Sequence, residues 1–259
     1  MISVSGLYKY YGEKTALENV SFDIARGELV GLLGLNGAGK STLMNILTGC
    51  LSPSRGAVHI GGHDIAKEPV QAKALIGYLP ESPSFYSDMR VCEYLEFVCD
   101  LKKVKTAGRK EHLDDICGRV GIGHVARRMI RNLSKGYRQR VGFAQALAGD
   151  PAVLFLDEPT VGLDPSQIAE IRALIKSLSE NATILISSHI LPELQSMCGR
   201  FIILSGGRVT ADVYADSLDA VPEANATGTE NAENAASGGQ NTLEKLFFEY
   251  AVNPDRKNE

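Results

Sequence analysis

The 259-residue sequence predicts an α/β fold, a largely parallel sheet covered by helices, interrupted by a helical insertion. Three observations predict it. Short apolar and β-branched runs alternate with stretches of helical periodicity. Several of those runs are apolar throughout, as strands covered on both faces must be. A glycine-rich loop stands between one such run and the helical pattern that follows it.

In chain order, Val20 to Ile24 and Leu29 to Leu33 read as strands, Lys40 to Leu47 as a helix and Val58 to Ile60 as a further strand. From Asp88 to Leu147 the alternation gives way to helical spacing: Val91, Tyr94, Leu95, Val98 and Leu101 recur at three and four residues, and Gly136 to Leu147 forms another helix. This is the insertion. Strands resume at Val153 to Leu156, Thr183 to Ser187 and Phe201 to Leu204, separated by helices at Ser166 to Ser179 and Leu191 to Cys198. Ala215 to Asn241 has no aromatic residue and is rich in Ala, Asn, Glu, Gly, Ser and Thr, the composition of a linker. Thr242 then caps an amphipathic helix carrying Leu243, Leu246, Phe247 and Tyr250, expected to dock on the body or on a partner.

Composition narrows the function. The chain is 44% hydrophobic and 22% charged, a globular profile rather than a disordered or fibrous one. A net charge of −4 argues against nucleic-acid binding through overall charge. Lys102 to Arg140 nevertheless holds twelve Lys or Arg against three acids, either a solvated helix surface or a patch facing phosphate or membrane. The longest apolar stretches, such as Leu29 to Leu35, are far shorter than the roughly 20 residues that cross a bilayer. Met1 to Tyr11 has neither a basic nor an apolar leader region, so secretion by a signal peptide is not expected. The five cysteines form no C-x-x-C pair and imply neither a disulfide framework nor a zinc site. Cys92 and Cys99, seven apart, read as small residues on one helix face.

The strongest chemical signal is Gly34-Leu35-Asn36-Gly37-Ala38-Gly39-Lys40-Ser41, which fits G-x-x-x-x-G-K-[ST] in the strand-to-helix context the motif requires. Glycines let backbone N–H groups converge on phosphate oxygens and the helix start adds its positive dipole end. Lys40 supplies a point charge and Ser41 a hydroxyl for Mg²⁺. The second signal is Val153 to Glu158, an apolar strand ending in two carboxylates at the sheet edge where doubly wound folds bind ligands. Asp157 there orients a Mg²⁺ shell and Glu158 polarises an attacking water. His189 follows the strand Thr183 to Ser187 and emerges at the same edge. The third signal is Leu133-Ser134-Lys135-Gly136-Tyr137-Arg138-Gln139 before a helix, by itself an ordinary N-cap.

The order of these segments, with Gly162-Leu163-Asp164 after the carboxylate strand, resembles the ATP-binding cassette (ABC) ATPase family, from Ile2 to about Tyr214. The resemblance implies a P-loop NTPase core with an N-terminal antiparallel β-subdomain and an inserted helical subdomain at about 84–150. It divides the chain into an ATPase domain at 1–214, a linker at 215–241 and a C-terminal helix and tail at 242–259. It implies that Tyr11 stacks on adenine, that Asn36, Gly37, Ala38, Gly39, Lys40, Ser41 and Thr42 hold the phosphates, and that Ser41, Asp157 and Glu81 face Mg²⁺, Glu81 through water. Glu158 becomes the catalytic base, Asp164 the D-loop acid and His189 the switch histidine, while Ser134 and Gly136 meet the γ-phosphate bound by the opposite subunit. Two motifs depart from the family pattern: Lys135 and Tyr137 replace the first glycine after the serine and the glutamine of L-S-G-G-Q, and Glu81 replaces the usual Q-loop glutamine.

The implied function is that of an ATP-binding and hydrolysing transporter subunit using ATP and Mg²⁺. It would pair with a second cassette, identical or not, and with a transmembrane permease on another chain, at the cytoplasmic face of the membrane and in export. A soluble ABC ATPase acting on DNA or ribosomes is the alternative. Lys40 and Asp157 are only 117 residues apart, too close for a long coiled-coil arm, and one cassette stands where translation-type chains usually carry two. A P-loop kinase has no use for Ser134 to Gln139. No nucleic-acid partner is expected.

Overall fold

The computed structural model describes residues 1–218 and Phe247. The chain runs β1 (Ile2–Tyr11), β2 (Lys14–Ile24), β3 (Leu29–Leu33), α1 (Lys40–Leu47), β4 (Arg55–Ile60), β5 (His63–Asp64), α2 (Pro69–Ala74) and β6 (Ile76–Leu79). Three helices follow, α3 (Val91–Leu101), α4 (Arg109–Arg119) and α5 (Lys135–Leu147). Then come β7 (Val153–Asp157), α6 (Pro165–Ser179), β8 (Thr183–Ser188), α7 (Leu191–Gln195), β9 (Arg200–Ser205), β10 (Arg208–Tyr214) and the short α8 (Ala215–Leu218).

Two sheets result. The larger has the order β10-β9-β3-β8-β7-β6 and is parallel except for β10. Its apolar runs are explained by their two faces. On β7, Val153 and Phe155 enter one buried cluster while Leu154 and Leu156 enter another. On β9, Ile202 and Leu204 join the first, and Phe201 and Ile203 the second. Alternate side chains point to opposite faces, so the interior of a strand between two cores is apolar at every position and polar residues such as Asp157 and Ser187 stand toward its ends. Phe155 is fully buried, and truncating such a side chain to Ala typically costs about 3–5 kcal/mol.

The smaller sheet, β2-β1-β4-β5, is antiparallel and covers one face of the larger together with α1. Val20 to Ile24 and Val58 to Ile60 therefore belong to this sheet and not to the parallel one. β1 escapes a reading by alternation because its register against β2 shifts between Val4 and Leu7 and twice more before Tyr10. Gly6, at φ 54°, stands at the first shift. A bulge of this kind moves later apolar residues out of strict alternation.

On the other face, Val91, Tyr94, Leu95 and Val98 of α3 are buried as the spacing predicts. Leu101 is not: it ends the helix and is 66% exposed. The chain turns at Lys103 (φ 56°), and Val104 packs against the core instead. Cys99 is buried and Cys92 half-buried on the same helix. The basic segment reads as a solvated helix surface, since Arg109, Arg119, Arg131 and Arg140 pair with Asp100, Asp115, Asp88 and Glu170. The more exposed pairs of Arg119 and Arg131 contribute little stability, while Arg109 and Arg140 are mostly buried beside exposed acids.

Several boundaries differ from expectation, β2 and β4 starting at Lys14 and Arg55 rather than Val20 and Val58. α7 stops at Gln195, three residues before Cys198. Ala215–Leu218 is helical where the linker was expected to begin, because the Ala215 N–H donates to Gly199 O (2.9 Å) and Ser217 Oγ to Tyr214 O (2.6 Å), tying the start of this stretch to the body. The rest of the expected linker and all of the expected C-terminal helix except Phe247 lie outside the described residues. Phe247 is helical and buried.

Candidate nucleotide site

Strand register brings the chemical groups together. Leu33 at the end of β3 pairs with Ser188 of β8, and Asp157 at the end of β7 pairs with Ser187. The loops leaving these three adjacent strands, which carry Gly34–Gly39, Glu158 and His189, thus emerge side by side at the carboxyl edge of the sheet.

The glycine-rich loop wraps the start of α1. Gly37 and Gly39 have φ 85° and 108°, and a side chain on Gly39 would approach Ala16 O at 2.8 Å, so the second position admits only glycine. The first turn of α1 has no carbonyl a turn earlier for its N–H groups, which makes it an anion-seeking end. Ala38 differs from the expectation. It is buried and its N–H donates to Leu35 O (3.1 Å), so the loop's own turn takes the donor expected for phosphate.

Lys40 is only 6% exposed and donates to Gly34 O (2.8 Å) and Leu35 O (3.4 Å). Its charge is answered by Glu158, also 6% exposed, whose Oε1 lies 3.7 Å from Nζ. The other carboxylate oxygen, Oε2, is 2.9 Å from His189 Nδ1. A carboxylate only accepts, so Nδ1 carries the hydrogen. Glu158 thus stands between a cation and an imidazole, with one oxygen toward each. A buried charge needs such partners, because desolvation otherwise outweighs any gain.

Asp157 lies behind this pair, 3% exposed, and accepts from Ser187 Oγ (2.5 Å). The Glu158 N–H meets the same serine through Oγ (3.1 Å) and O (3.2 Å). Ser187 therefore links both carboxylate residues, a role that sequence reasoning missed. Its signal is a polar residue at the end of the apolar run Ile184-Leu185-Ile186.

A cleft of about 640 Å³ joins Tyr11, Asn36, Gly37, Gly39, Lys40, Ser41, Thr42, Glu81, Glu158 and His189, and is completed by Lys14–Ala16 and Gly206–Gly207. Tyr11 is half exposed there, with the Lys9 ammonium 5.3 Å from its ring centre. Tyr10 does not line the cleft and lies 6.1 Å from Tyr8. A second hollow of about 730 Å³, lined by Met1, Asp23, Glu28 and Arg200 among others, sits at the opposite ends of the strands and holds none of these groups.

Ser134, Gly136 and Asp164 do not reach the cleft. Ser134 caps α5, its Oγ accepting from Tyr137 N–H at 3.4 Å. Gly136 is buried, and a methyl on it would come within 2.6 Å of Gln167 Oε1 on α6. Asp164 caps α6, accepting from Gln167 N–H (3.0 Å) and Ser166 Oγ (2.7 Å). Those bonds, the Gln167 N–H foremost, hold its carboxyl below the usual carboxylate range.

Residues 17–161 match the family described as ABC transporter. The chain belongs to this family. An uncharacterized ABC transporter ATP-binding protein, YdbJ of Bacillus subtilis (strain 168), is 37% identical over 225 residues, 86% of this chain and 72% of that protein. The bacitracin transport ATP-binding protein BcrA of Bacillus licheniformis is 35% identical over 222 residues, 84% of this chain and 71% of its own. Among solved structures, a dimeric ATP-binding cassette in a post-hydrolysis state, bound to ADP and Pi, is similar at 26% identity with a TM-score of 0.76, covering 83% of this chain and 98% of that one. The protein is thus an ABC transporter ATP-binding subunit with the α/β P-loop NTPase fold and the ATP hydrolase activity of its class.

Proposed function

We propose that two copies of this ABC cassette, or this one and a related cassette, close around two ATP molecules and drive a permease carried on a separate chain, in the direction of export. The observation that carries the reading is the arrangement of Lys40, Glu158 and His189 at the head of one cleft, while Ser134 and Asp164 stand exposed outside it. One half of a composite site is concentrated within the chain and the other half is offered outward. The relative named for bacitracin transport supports a transport role. Among the described residues no helix is long and apolar enough to cross a membrane; in this reading the permease is another chain and the cassette is held at the cytoplasmic membrane face.

In this reading Tyr11 receives the adenine face. Asn36, Gly37 and Gly39 shape the loop around the phosphates with Thr42 on the α-phosphate side, and Lys40 exchanges its ion pair with Glu158 for the β- and γ-phosphates. Glu158, so released, accepts a proton from the attacking water, and His189 contacts the γ-phosphate. Asp164 contributes to the dimer contact as the D-loop acid. Domain boundaries at 214 and 241, with the helical subdomain near 84–150, follow the same reading.

The metal donors fit Mg²⁺. Ser41, Asp157 and Glu81 offer hard oxygen donors, and among the described residues no group of three or more His, Cys, Asp or Glu is arranged to hold a metal alone. Phosphate and water must then complete the shell, as Mg²⁺ prefers. The ion would neutralise charge on the phosphates, and Ser41, Asp157 and Glu81 are the residues that would hold it.

The test is Glu158→Gln. An amide accepts no proton, so this variant should bind ATP, hydrolyse it at least about 100-fold more slowly and persist as an ATP-dependent dimer on sizing. A monomer at saturating ATP, or turnover like the parent's, sinks the reading.

A further inference from the structure

The turn that follows Glu158 is held from two sides by buried bonds that involve none of the phosphate-binding residues. Gln139 Nε2 on α5 donates to Pro159 O at 2.8 Å. Thr160 Oγ1 donates to Glu193 Oε2 at 2.6 Å. Thr160 and Glu193 are 5% and 6% exposed. Glu193 lies on α7, four residues after His189. Its other oxygen is 4.0 Å from Arg172 on α6, so the threonine hydroxyl is its closer partner.

A carboxylate this buried is unfavourable unless hydrogen bonds and a nearby cation hold it. What it holds in return is specific. Thr160 belongs to two consecutive turns, with Val161 N–H donating to Glu158 O and Leu163 N–H donating to Thr160 O, both at 3.2 Å. Glu158 itself sits at φ 47°, a left-handed conformation that a residue with a side chain keeps only where its surroundings over-determine it. The bond therefore joins the segment that follows the reactive carboxylate to the helix that starts two residues after His189.

We propose that Glu193 is a positioning residue for hydrolysis. By accepting the Thr160 hydroxyl it fixes the turn after Glu158 against α7, and so sets the 2.9 Å approach of Glu158 to His189. The inference rests on the reading of Glu158 and His189 as the hydrolytic pair. A merely structural bond would lower stability and leave the turnover of folded protein alone. A positioning bond lowers kcat, spares ATP binding and loses its effect once His189 is gone.

The experiment compares Thr160→Val, Thr160→Ser and Glu193→Gln in the full chain. It measures kcat and KM for ATP, binding of a non-hydrolysable ATP analogue, and the same quantities in a His189→Ala background. Thr160→Val should lower kcat about tenfold or more with KM within about threefold, and Thr160→Ser should recover to within about threefold of the parent. Glu193→Gln, which keeps an acceptor oxygen, should fall between them. On His189→Ala, Thr160→Val should cause no further loss. An unchanged kcat in folded Thr160→Val, or the same fold-loss with and without His189, overturns the proposal. Should Thr160→Val fail to fold, Thr160→Val/Glu193→Met leaves no orphaned carboxylate and should show the same drop in kcat; parent-like kcat there overturns it equally. If Glu158→Gln and His189→Ala turn over like the parent, the hydrolytic pair is wrong and this proposal goes with it. If those two variants lose turnover while Thr160→Val keeps the parent's kcat, this proposal alone fails.

Discussion

The cleft and the outward-facing Ser134 surface are made of similar residues and held in opposite ways. Lys40, Asp157 and Glu158 are buried, and each has a side-chain partner far along the chain: Glu158 faces Lys40, Ser187 is 30 residues from Asp157, and His189 is 31 from Glu158. Ser134 and Asp164 are exposed, and their bonds reach only two or three residues ahead, to Tyr137, Ser166 and Gln167. Buried polar groups must be satisfied by whatever the fold brings near, whereas a helix cap is satisfied by its own first turn. The difference teaches that folding assembles one set of groups inside the chain and presents the other ready-formed at its surface, available to a second molecule.

The largest effect should come from the buried set. Lys40→Ala leaves Glu158 with the His189 imidazole as its remaining side-chain partner and removes the cation proposed to face the phosphates, and ATP hydrolysis should fall at least about 100-fold. Turnover near the parent's would dissolve the contrast at its strong end. The exposed set is probed by complementation. Lys40→Ala and Ser134→Arg chains should each be inactive, and mixing them should restore activity, because one site per mixed dimer then has both halves intact. Absence of recovery with demonstrated mixing removes Ser134 from any trans role.

Glu81 lies at the edge between the two regions, exposed yet lining the cleft. Its carboxylate attracts a cation and repels the γ-phosphate and neighbouring acids, so the effects oppose. Glu81→Gln should therefore change hydrolysis by less than about tenfold, or about 1.4 kcal/mol of barrier; a larger change assigns Glu81 to the buried set. The smallest effect concerns Asp164. Its pKa is held low in the folded chain, so the stability it contributes is complete above the ordinary value near 3.9 and is lost as the pH falls through the lower folded value. Asp164→Asn, which still caps the helix, should melt near the parent at neutral pH and lose less stability from about pH 4 downward. Parallel melting curves for the two proteins would show that the cap carries no such charge term.

Legibility followed the same divide. The Gly34 to Ser41 loop is contiguous, so its spacing made it a candidate by itself, and the Asp157–Glu158 pair gained its meaning from standing behind that loop. The α3 stripe was readable for the same reason, up to Leu101, where the turn at Lys103 replaced it with Val104. β1 was hidden by its bulges, and β6 by being four residues long with Gly77 inside it. The spacing could not show that Ala38 would give its N–H to Leu35, because that depends on how the loop closes.

By itself, then, the sequence determined which local segments form the glycine-rich loop, cap helices or line a core, since each is a statement about residues within a turn or a strand of one another. Only the tertiary structure decided that Ser187 joins Asp157 to Glu158, that Glu158 faces both Lys40 and His189, and that Thr160 is tied to Glu193. These contacts link residues about 30 or more positions apart, and the one between Lys40 and Glu158 spans more than a hundred. They exist because parallel strands β3, β8 and β7 lie in register. Register is set by packing both faces of the sheet at once, a property of the whole core that no single stretch of sequence contains.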